Sequence, residues 1–182
     1  MKILETTNFV LRPITLDDTK DLYEYYSIPE VVKFLPIKVH KTTLDTKNFI
    51  KSFFINNYQK GKIGHYGIVL KSENKIIGNV GFNNISKYAK NGEIGICINP
   101  KYWGNNLASE LAQVLIEYGF NELNLKYIYA ITYEDNIYSQ KVLKNLNFIH
   151  KKDFNKRFKK LNNQTIKCNK FILYKKVFIQ NS

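Results

Sequence analysis

A chain of 182 residues that is 44% hydrophobic has the size of one domain and enough apolar material for a core, which argues against a disordered chain or a disulfide-stapled miniature. Lys and Arg outnumber Asp and Glu by 28 to 15, a formal net charge of +13; such a field attracts anions in general, but it is spread through a Lys-, Asn- and Ile-rich chain, so a solvated surface and no specific nucleic-acid site is the expectation. The two cysteines, Cys97 and Cys168, have no His at metal-ligand spacing, so no metal site is expected and a reducing cytoplasm is.

The N-terminal stretch to Thr15 lacks the apolar run and small-residue cleavage site of a signal peptide. No segment approaches the roughly 18 consecutive apolar residues of a membrane span. Phe9-Val10-Leu11 before Arg12-Pro13 predicts a short strand that stops near the proline. Thr15 to Asp18 is a capping-box pattern, and Leu16, Leu22 and Tyr26 are expected on the apolar face of the helix it opens. Pro29 and Pro36 break the region that follows. A second capping box, Thr42 to Asp45, opens an amphipathic helix carrying Phe49, Phe53 and Phe54 that should end before Gly61.

The pattern then turns to strands. His65–Leu70 and Ile76–Ile85 flank the turn Ser72 to Lys75 and predict a hairpin. Glu93–Ile98 is a third strand, closed by Asn99-Pro100. From about Asn105 to Asn121, Leu107, Leu111, Leu115 and Tyr118 recur at helical spacing. Tyr127–Tyr133 alternates as a strand. Asn136 should cap a short helix with Tyr138, Val142 and Leu146 on one face. Phe148 onward and Lys167–Phe178 read as two closing strands around Asn162-Asn163. No repeat, linker or low-complexity segment interrupts the order, so residues 1–182 are expected to be a single mixed α/β domain.

Glu93 to Glu110, EIGICINPKYWGNNLASE, carries the most chemistry. A strand ends at a proline, passes a glycine-bearing turn and runs straight into an amphipathic helix. The first turn of a helix presents backbone N–H groups without intrahelical acceptors, a ready site for phosphate. Gly104, Asn105 and Asn106 would let an anion come close.

This segment resembles the acetyl-CoA-binding motif of the GNAT superfamily of N-acetyltransferases, whose general form is (Gln/Arg)-x-x-Gly-x-(Gly/Ala). The branch that includes the ribosomal-protein N-terminal (alanine/serine) acetyltransferases commonly has Tyr-Trp-Gly-Lys-Gly-Tyr-Ala-Thr-Glu here. Tyr102-Trp103-Gly104, Ala108 and Glu110 match it, while Asn105, Asn106 and Leu107 depart from it. Leu11-Arg12-Pro13, Ile77-Gly78-Asn79-Val80-Gly81, Glu93-Ile94-Gly95 and Asn136-x-x-Ser139 with Val142-Leu143, Leu146 and Phe148 resemble further motifs of that branch, in order. Asn147 stands where a glycine is expected. The resemblance covers about residues 8 to 178; the C-terminal hairpin is its least typical part.

The resemblance implies a mostly antiparallel central sheet flanked by helices, with the family's fourth and fifth strands (here Glu93–Ile98 and Tyr127–Tyr133) splayed apart. It implies acetyl-CoA as co-substrate and direct attack by a primary amine in a ternary complex. Glu93 is the candidate base, because an ammonium must lose a proton before it attacks. Ser139 is the first candidate for the proton donor to the departing thiolate, with Tyr133 or Tyr138 as substitutes; the family's usual tyrosine position is Leu143. Ile96 and Ile98 would offer main-chain groups to the pantetheine arm. Trp103, Gly104, Asn105, Asn106, Leu107 and Ala108 would surround the pyrophosphate, and Asn136 and Ser139 would meet the pantetheine region. Arg12 is expected in an ion pair, Cys97 as a buried small hydrophobe, and Trp103 as core or groove wall. The acceptor is a protein N-terminus or a small-molecule amine, and the protein a monomer or homodimer. The alternative is a non-catalytic acetyl-CoA- or ribosome-binding module on the same fold.

Overall fold

The computed structural model describes residues 1–104 and 106–180. By contacts the chain divides into two compact units, Met1–Leu35 with Val39–Phe82 and Ile96–Asn105, and Pro36–Lys38 with Asn83–Gly95 and Asn106–Ser182.

In the first unit, β2 (Phe9–Pro13) pairs with a two-residue β1 (Leu4–Glu5) on one side and with β3 (His65–Leu70) on the other, both antiparallel. β3 forms the predicted hairpin with β4 (Lys75–Ser86) around a turn in which Asn74 has φ 47°. Along β4 a Cβ at Gly78 would collide with the backbone of Cys97 and Ile98, so close strand approach, not flexibility, keeps that position without a side chain. Leu11, Leu22, Tyr25, Ile50, Phe54 and Tyr66 are buried in this unit's core.

Both capping boxes form. Asp18 accepts from the Thr15 backbone at 2.7 Å, and Thr42 and Asp45 exchange bonds at 2.9 and 3.2 Å. Leu16–Asp18 is a 3-10 turn, however, and α1 begins only at Thr19 and runs to Tyr26. The tighter turn shifts the phase of the side chains, so Leu16 is 36% exposed and the buried stripe is Leu22, Tyr25 and Tyr26. Pro29 does not break structure but opens the short helix α2 (Pro29–Val32), where its missing N–H costs nothing. The predicted second helix runs as α3 (Thr43–Phe49), a π segment at Ile50–Ile55 and α4 (Asn56–Gln59). It ends before Gly61, which has φ 67°.

β4 and β5 (Asn91–Ile98) run on from one unit into the other. The second unit holds α5 (Leu107–Asn121), β6 (Tyr127–Tyr133), α6 (Ile137–Asn145), β7 (Ile149–Phe158), β8 (Gln164–Tyr174) and α7 (Lys175–Gln180). Its core includes Leu111, Leu115, Phe120, Ile128, Phe171 and Leu173. Lys175–Phe178, expected as strand, is helical: Lys175 Nζ donates to the Phe120 carbonyl at 2.6 Å and Phe178 packs on Phe120 with ring centroids 5.2 Å apart. In α6 the buried residue is Leu143, whereas Tyr138, expected on the apolar face, is 82% exposed.

The strands form one eight-stranded sheet in the order β1-β2-β3-β4-β5-β6-β8-β7. It is mostly antiparallel, as the resemblance implies; β5 and β6 pair in parallel. Among the described residues that parallel register covers Asn91–Tyr127, Gly92–Ile128 and Glu93–Tyr129. Beyond it β6 continues to Tyr133 alongside β8. These are the two strands expected to splay.

Candidate active site

The helix start that the sequence singled out is real. Asn106 caps α5 in the left-handed conformation, φ 57° and ψ 15°, and its carbonyl accepts from Ser109 N at 2.9 Å and Glu110 N at 3.0 Å. The N–H groups of Leu107 and Ala108 precede these, where helix geometry supplies no acceptor. Leu107 is buried and anchors the turn, while Ala108 is half-buried. Asparagine is the residue with a side chain best suited to this backbone, so the departure from glycine keeps the turn. Asn147 does the same at φ 62°. Asn105 lies outside the described residues.

In the first unit, the end of β5 and the turn after it are tied by Trp103, whose indole N–H donates to the Ile98 carbonyl at 2.7 Å. Trp103 is 56% exposed, so it is not core; its hydrogen bond fixes the ring over the strand end and leaves its faces to solvent. Ile98 and Cys97 are buried and Ile96 half-buried. Gly104 has φ 102°, and a Cβ there would meet nothing within 4 Å, so the backbone conformation, not crowding, selects glycine. Burial pushes the Cys97 thiol up to about 12, which removes it as a nucleophile.

In the second unit, Glu93 is the last residue of β5 in the parallel register and is half-buried. Asn83, near the end of β4, donates its amide to Glu93 Oε1 at 3.0 Å. Tyr129, one strand over, is the register partner of Glu93 and is half-buried. Burial first, then the charge of Glu93, push the Tyr129 phenol up to about 12. Lys170 of β8 sets its ammonium 4.2 Å from the Tyr129 ring centroid. None of Asn83, Tyr129 and Lys170 was legible as a site residue. The signal was register: Glu93 and Tyr129 lie 36 positions apart and meet only once β5 and β6 are aligned.

At the start of α6 the Asn136 side chain accepts from Ser139 N at 3.1 Å, the predicted cap. Ser139 is half-buried in the first turn. Tyr138 points to solvent, and Tyr133 is buried with its phenol pushed up to about 12, chiefly by burial. Arg12 is held in the expected ion pair: its guanidinium donates to both oxygens of Asp18 at 2.9 and 2.7 Å. His40 and His65, solitary in the sequence, are buried against Thr46 and Asn79 at 2.9 Å each, and His150 pairs with Asp153 at 2.7 Å. Among the described residues no group of three His, Cys, Asp or Glu side chains could hold a metal, and no helix is long and apolar enough to cross a membrane.

The donor set suits an anion: a 15-residue helix opens on the N–H groups of Leu107 and Ala108 after a left-handed cap. Residues 8–149 match the family model described as acetyltransferase (GNAT) domain. The uncharacterized N-acetyltransferase p20 of Bacillus licheniformis is 35% identical over 149 residues, 81% of this chain and 83% of that protein. The crystal structure of a GNAT-family acetyltransferase from Bacillus anthracis superposes with TM-score 0.80 at 26% identity, covering 95% of this chain and 98% of the other. RimL, a ribosomal L7/L12 alpha-N-protein acetyltransferase in complex with coenzyme A, shares the fold with TM-score 0.77 at 18% identity, over 95% of this chain and 98% of its own. With the motif, the sheet and the helix start in agreement, this chain belongs to the GNAT acetyltransferase family and is an acetyl-CoA-dependent N-acetyltransferase.

Proposed function

We propose that the acceptor is the amino group of a protein N-terminus, that the whole chain works as one acetyltransferase domain in the cytoplasm, and that Glu93 takes the amine's proton. The observation that carries the base assignment is the setting of Glu93: a half-buried carboxylate at the last position of β5 in the parallel register, held by the Asn83 amide at 3.0 Å with Tyr129 as its register partner. A carboxylate fixed by a donor is positioned to accept a proton without paying for its own reorganisation. The fold shared with an alpha-N-protein acetyltransferase supports the acceptor class.

When bound, acetyl-CoA supplies a thioester whose carbonyl carbon forms the new C–N bond as its C–S bond breaks. The residues of this chain do the rest. Leu107 and Ala108 offer backbone N–H groups to the pyrophosphate, with the left-handed Asn106 and Gly104 shaping the turn. Trp103 covers the turn by its bond to Ile98. Ile96 and Ile98 present main chain to the pantetheine arm, and Asn136 and Ser139 meet it from the first turn of α6. Glu93 removes a proton from the ammonium so that the lone pair can attack, and the Ser139 hydroxyl gives a proton to the leaving sulfur. Arg12 takes no part, because its guanidinium is held in the two-bond pair with Asp18 and also donates to the Pro13 carbonyl at 3.1 Å.

A thiol-release screen of N-terminal peptides against free amino acids, polyamines and aminoglycosides tests the acceptor. Peptides should turn over fastest; a polyamine or aminoglycoside in that place would sink the assignment. Glu93→Gln should lower turnover by about 100-fold at neutral pH, the low end of a positioned base's contribution. The deficit should narrow as pH rises and the amine deprotonates unaided. An unchanged pH–rate profile rules Glu93 out as the base.

A further inference from the structure

Charge is not spread evenly along this chain. The hairpin of β7 and β8, residues 149–174, holds eight Lys and Arg against one Asp, a net +7 of the chain's +13 in one-seventh of its length. Alternation along the strands sorts these side chains between two faces. Past the register shift between His150 and Lys152, the residues Lys152, Phe154, Lys156 and Phe158 share one face of β7. Lys170 of β8 is the register partner of Lys152 and lies on the same face, as does Tyr129 of β6 beneath it. Tyr129 is in turn the register partner of Glu93, so the proposed base stands at the β5 end of this face.

The sorting separates acids from bases. Asp153 alternates onto the opposite face, where it holds His150 at 2.7 Å, and Glu134 holds Lys167. On the Glu93 face each ammonium lies over a ring instead: Lys152 is 5.5 Å from the Phe154 centroid, Lys156 5.2 Å from Phe158 and Lys170 4.2 Å from Tyr129. Among the described residues none of these three lysines is in an ion pair. A ring attracts a cation without neutralising it, so three charges are held in fixed places and kept for another partner.

We propose that this face binds an acidic stretch of the acceptor polypeptide, a few residues downstream of the N-terminus that is acetylated. This rests on a protein N-terminus being the acceptor, with its amine at Glu93. Strand spacing sets the reach. Lys170 lies two strands from Glu93, and Lys152 and Lys156 lie three strands from it. With their offsets along the strands they stand about 12 to 25 Å away, which an extended chain covers in about four to eight residues.

A basic sheet face with aromatic side chains also suits single-stranded nucleic acid, but there successive bases stack on open ring faces. Here an ammonium already covers a face of Phe154, Phe158 and Tyr129, and Arg157 alternates onto the opposite side of β7. Carboxylates need only the ammoniums, and the ring edges offer apolar contact to the side chains between them. The same positive field repels a polyamine or an aminoglycoside.

The test uses peptides that share one N-terminal residue and carry Glu, Gln or Lys at about positions four to eight, beside a dipeptide too short to reach the lysines. Wild type should acetylate the Glu peptide with kcat/KM about 10-fold above the Gln peptide, mostly through KM, as for three exposed ion pairs. The Lys peptide should be the slowest, and high salt should level the three. The triple variant Lys152→Gln/Lys156→Gln/Lys170→Gln should lose the preference and keep wild-type turnover of the dipeptide, which reports that it is folded. Should it fail to fold, Lys152→Glu/Lys156→Glu leaves the Tyr129 contact in place and should reverse the preference toward the Lys peptide. Equal kcat/KM for Glu and Gln peptides, both being turned over, overturns the docking alone. A triple variant that keeps the preference but has a raised KM for acetyl-CoA assigns the lysines to the cofactor and overturns it too. So does a labelled single-stranded oligonucleotide that the lysines hold more tightly than the Glu peptide at physiological ionic strength. Turnover of a free amine with none of any peptide overturns the acceptor class and this docking together.

Discussion

Two clusters built from asparagine and tyrosine lie in the two units, and they have opposite characters. In the first unit Asn79 Oδ1 accepts from the Tyr25 and Tyr26 hydroxyls at 3.1 and 2.8 Å, and its amide meets His65 Nδ1 at 2.9 Å. All four side chains are buried. In the second unit the exposed Asn83 amide meets Glu93, whose register partner Tyr129 carries the Lys170 ammonium over its ring; Glu93, Tyr129 and Lys170 are half-buried, an acid and a cation among them. A closed neutral network spends its hydrogen-bonding capacity on itself and specifies packing. An open one that holds a charge keeps capacity for a substrate. Burial and charge, more than residue type, separate the scaffold from the candidate site.

Glu93→Gln and a change at Asn79 should therefore fail in opposite ways. The Glu93 variant should lose about 100-fold in turnover yet unfold in urea within about 0.5 kcal/mol of wild type, as expected of a half-exposed side chain. Asn79→Leu should do the reverse. It removes the acceptor of two buried phenols, each costing about 1–3 kcal/mol when unpaired. A total near 3 kcal/mol would lower the melting temperature by about 6–12 °C in a chain of this size. The folded fraction should keep the wild-type pH–rate profile. If Asn79→Leu shifted that profile while barely changing stability, the distinction between the clusters would collapse.

The same contrast explains what could be read from the sequence. Segments governed by neighbours along the chain were legible: the alternation of Tyr127–Tyr133 gave the observed strand to the residue, and both capping boxes formed because their partners are three residues apart. Phase errors arose where a local turn changed type. Leu16 fell out of the buried stripe because a 3-10 turn precedes α1. Tyr138 and Lys175–Phe178 fit a pattern that tertiary packing overrode, through Leu143 in one case and Phe120 in the other. Trp103 was expected as core or groove wall; its exposed ring, tied to the strand end through the indole N–H, is not core. The base candidate and the phosphate turn were legible through motifs. The neighbours of Glu93 were not, because Asn83 and Tyr129 are brought to it by different strands, β4 and β6.

The Arg12–Asp18 pair lies between the two clusters in character: ionic, with Asp18 buried and Arg12 partly open. Burial works against the Asp18 charge, but the Arg12 hydrogen bond and the Thr15 backbone outweigh it and hold the carboxyl below its ordinary range. A folded-state value below the unfolded one stabilises the protein above the unfolded value, and this contribution is lost as pH falls through the folded value. Wild type should therefore lose urea stability on acidification below about pH 4. Asp18→Asn should be less stable at neutral pH and show a flatter decline there. Its kinetic pH profile should match wild type, since neither residue has a part in the proposed chemistry; equal slopes of stability with pH in the two proteins would deny the linkage.

The smallest expected effect concerns the turn before α5. Of the seven non-glycine residues with positive φ among those described, six are asparagine, and Lys90 is the other. Asparagine is thus this chain's usual solution for left-handed backbone, in turns as well as at the two places where the family resemblance expects glycine. The left-handed conformation costs an ordinary residue about 1–2 kcal/mol, less for asparagine, whose side chain bonds locally. Glycine at position 106 would remove the residual strain but add freedom to the unfolded chain. The two effects oppose, so Asn106→Gly should change stability by less than about 0.5 kcal/mol. The N–H groups of Leu107 and Ala108 would stay where they are, and the calorimetric affinity for acetyl-CoA should change less than about 3-fold, under 1 kcal/mol. A gain of 10-fold or more would mean that the Asn106 side chain obstructs the phosphates. A loss of that size would mean that it binds them, and would make asparagine a ligand here in addition to a substitute for glycine.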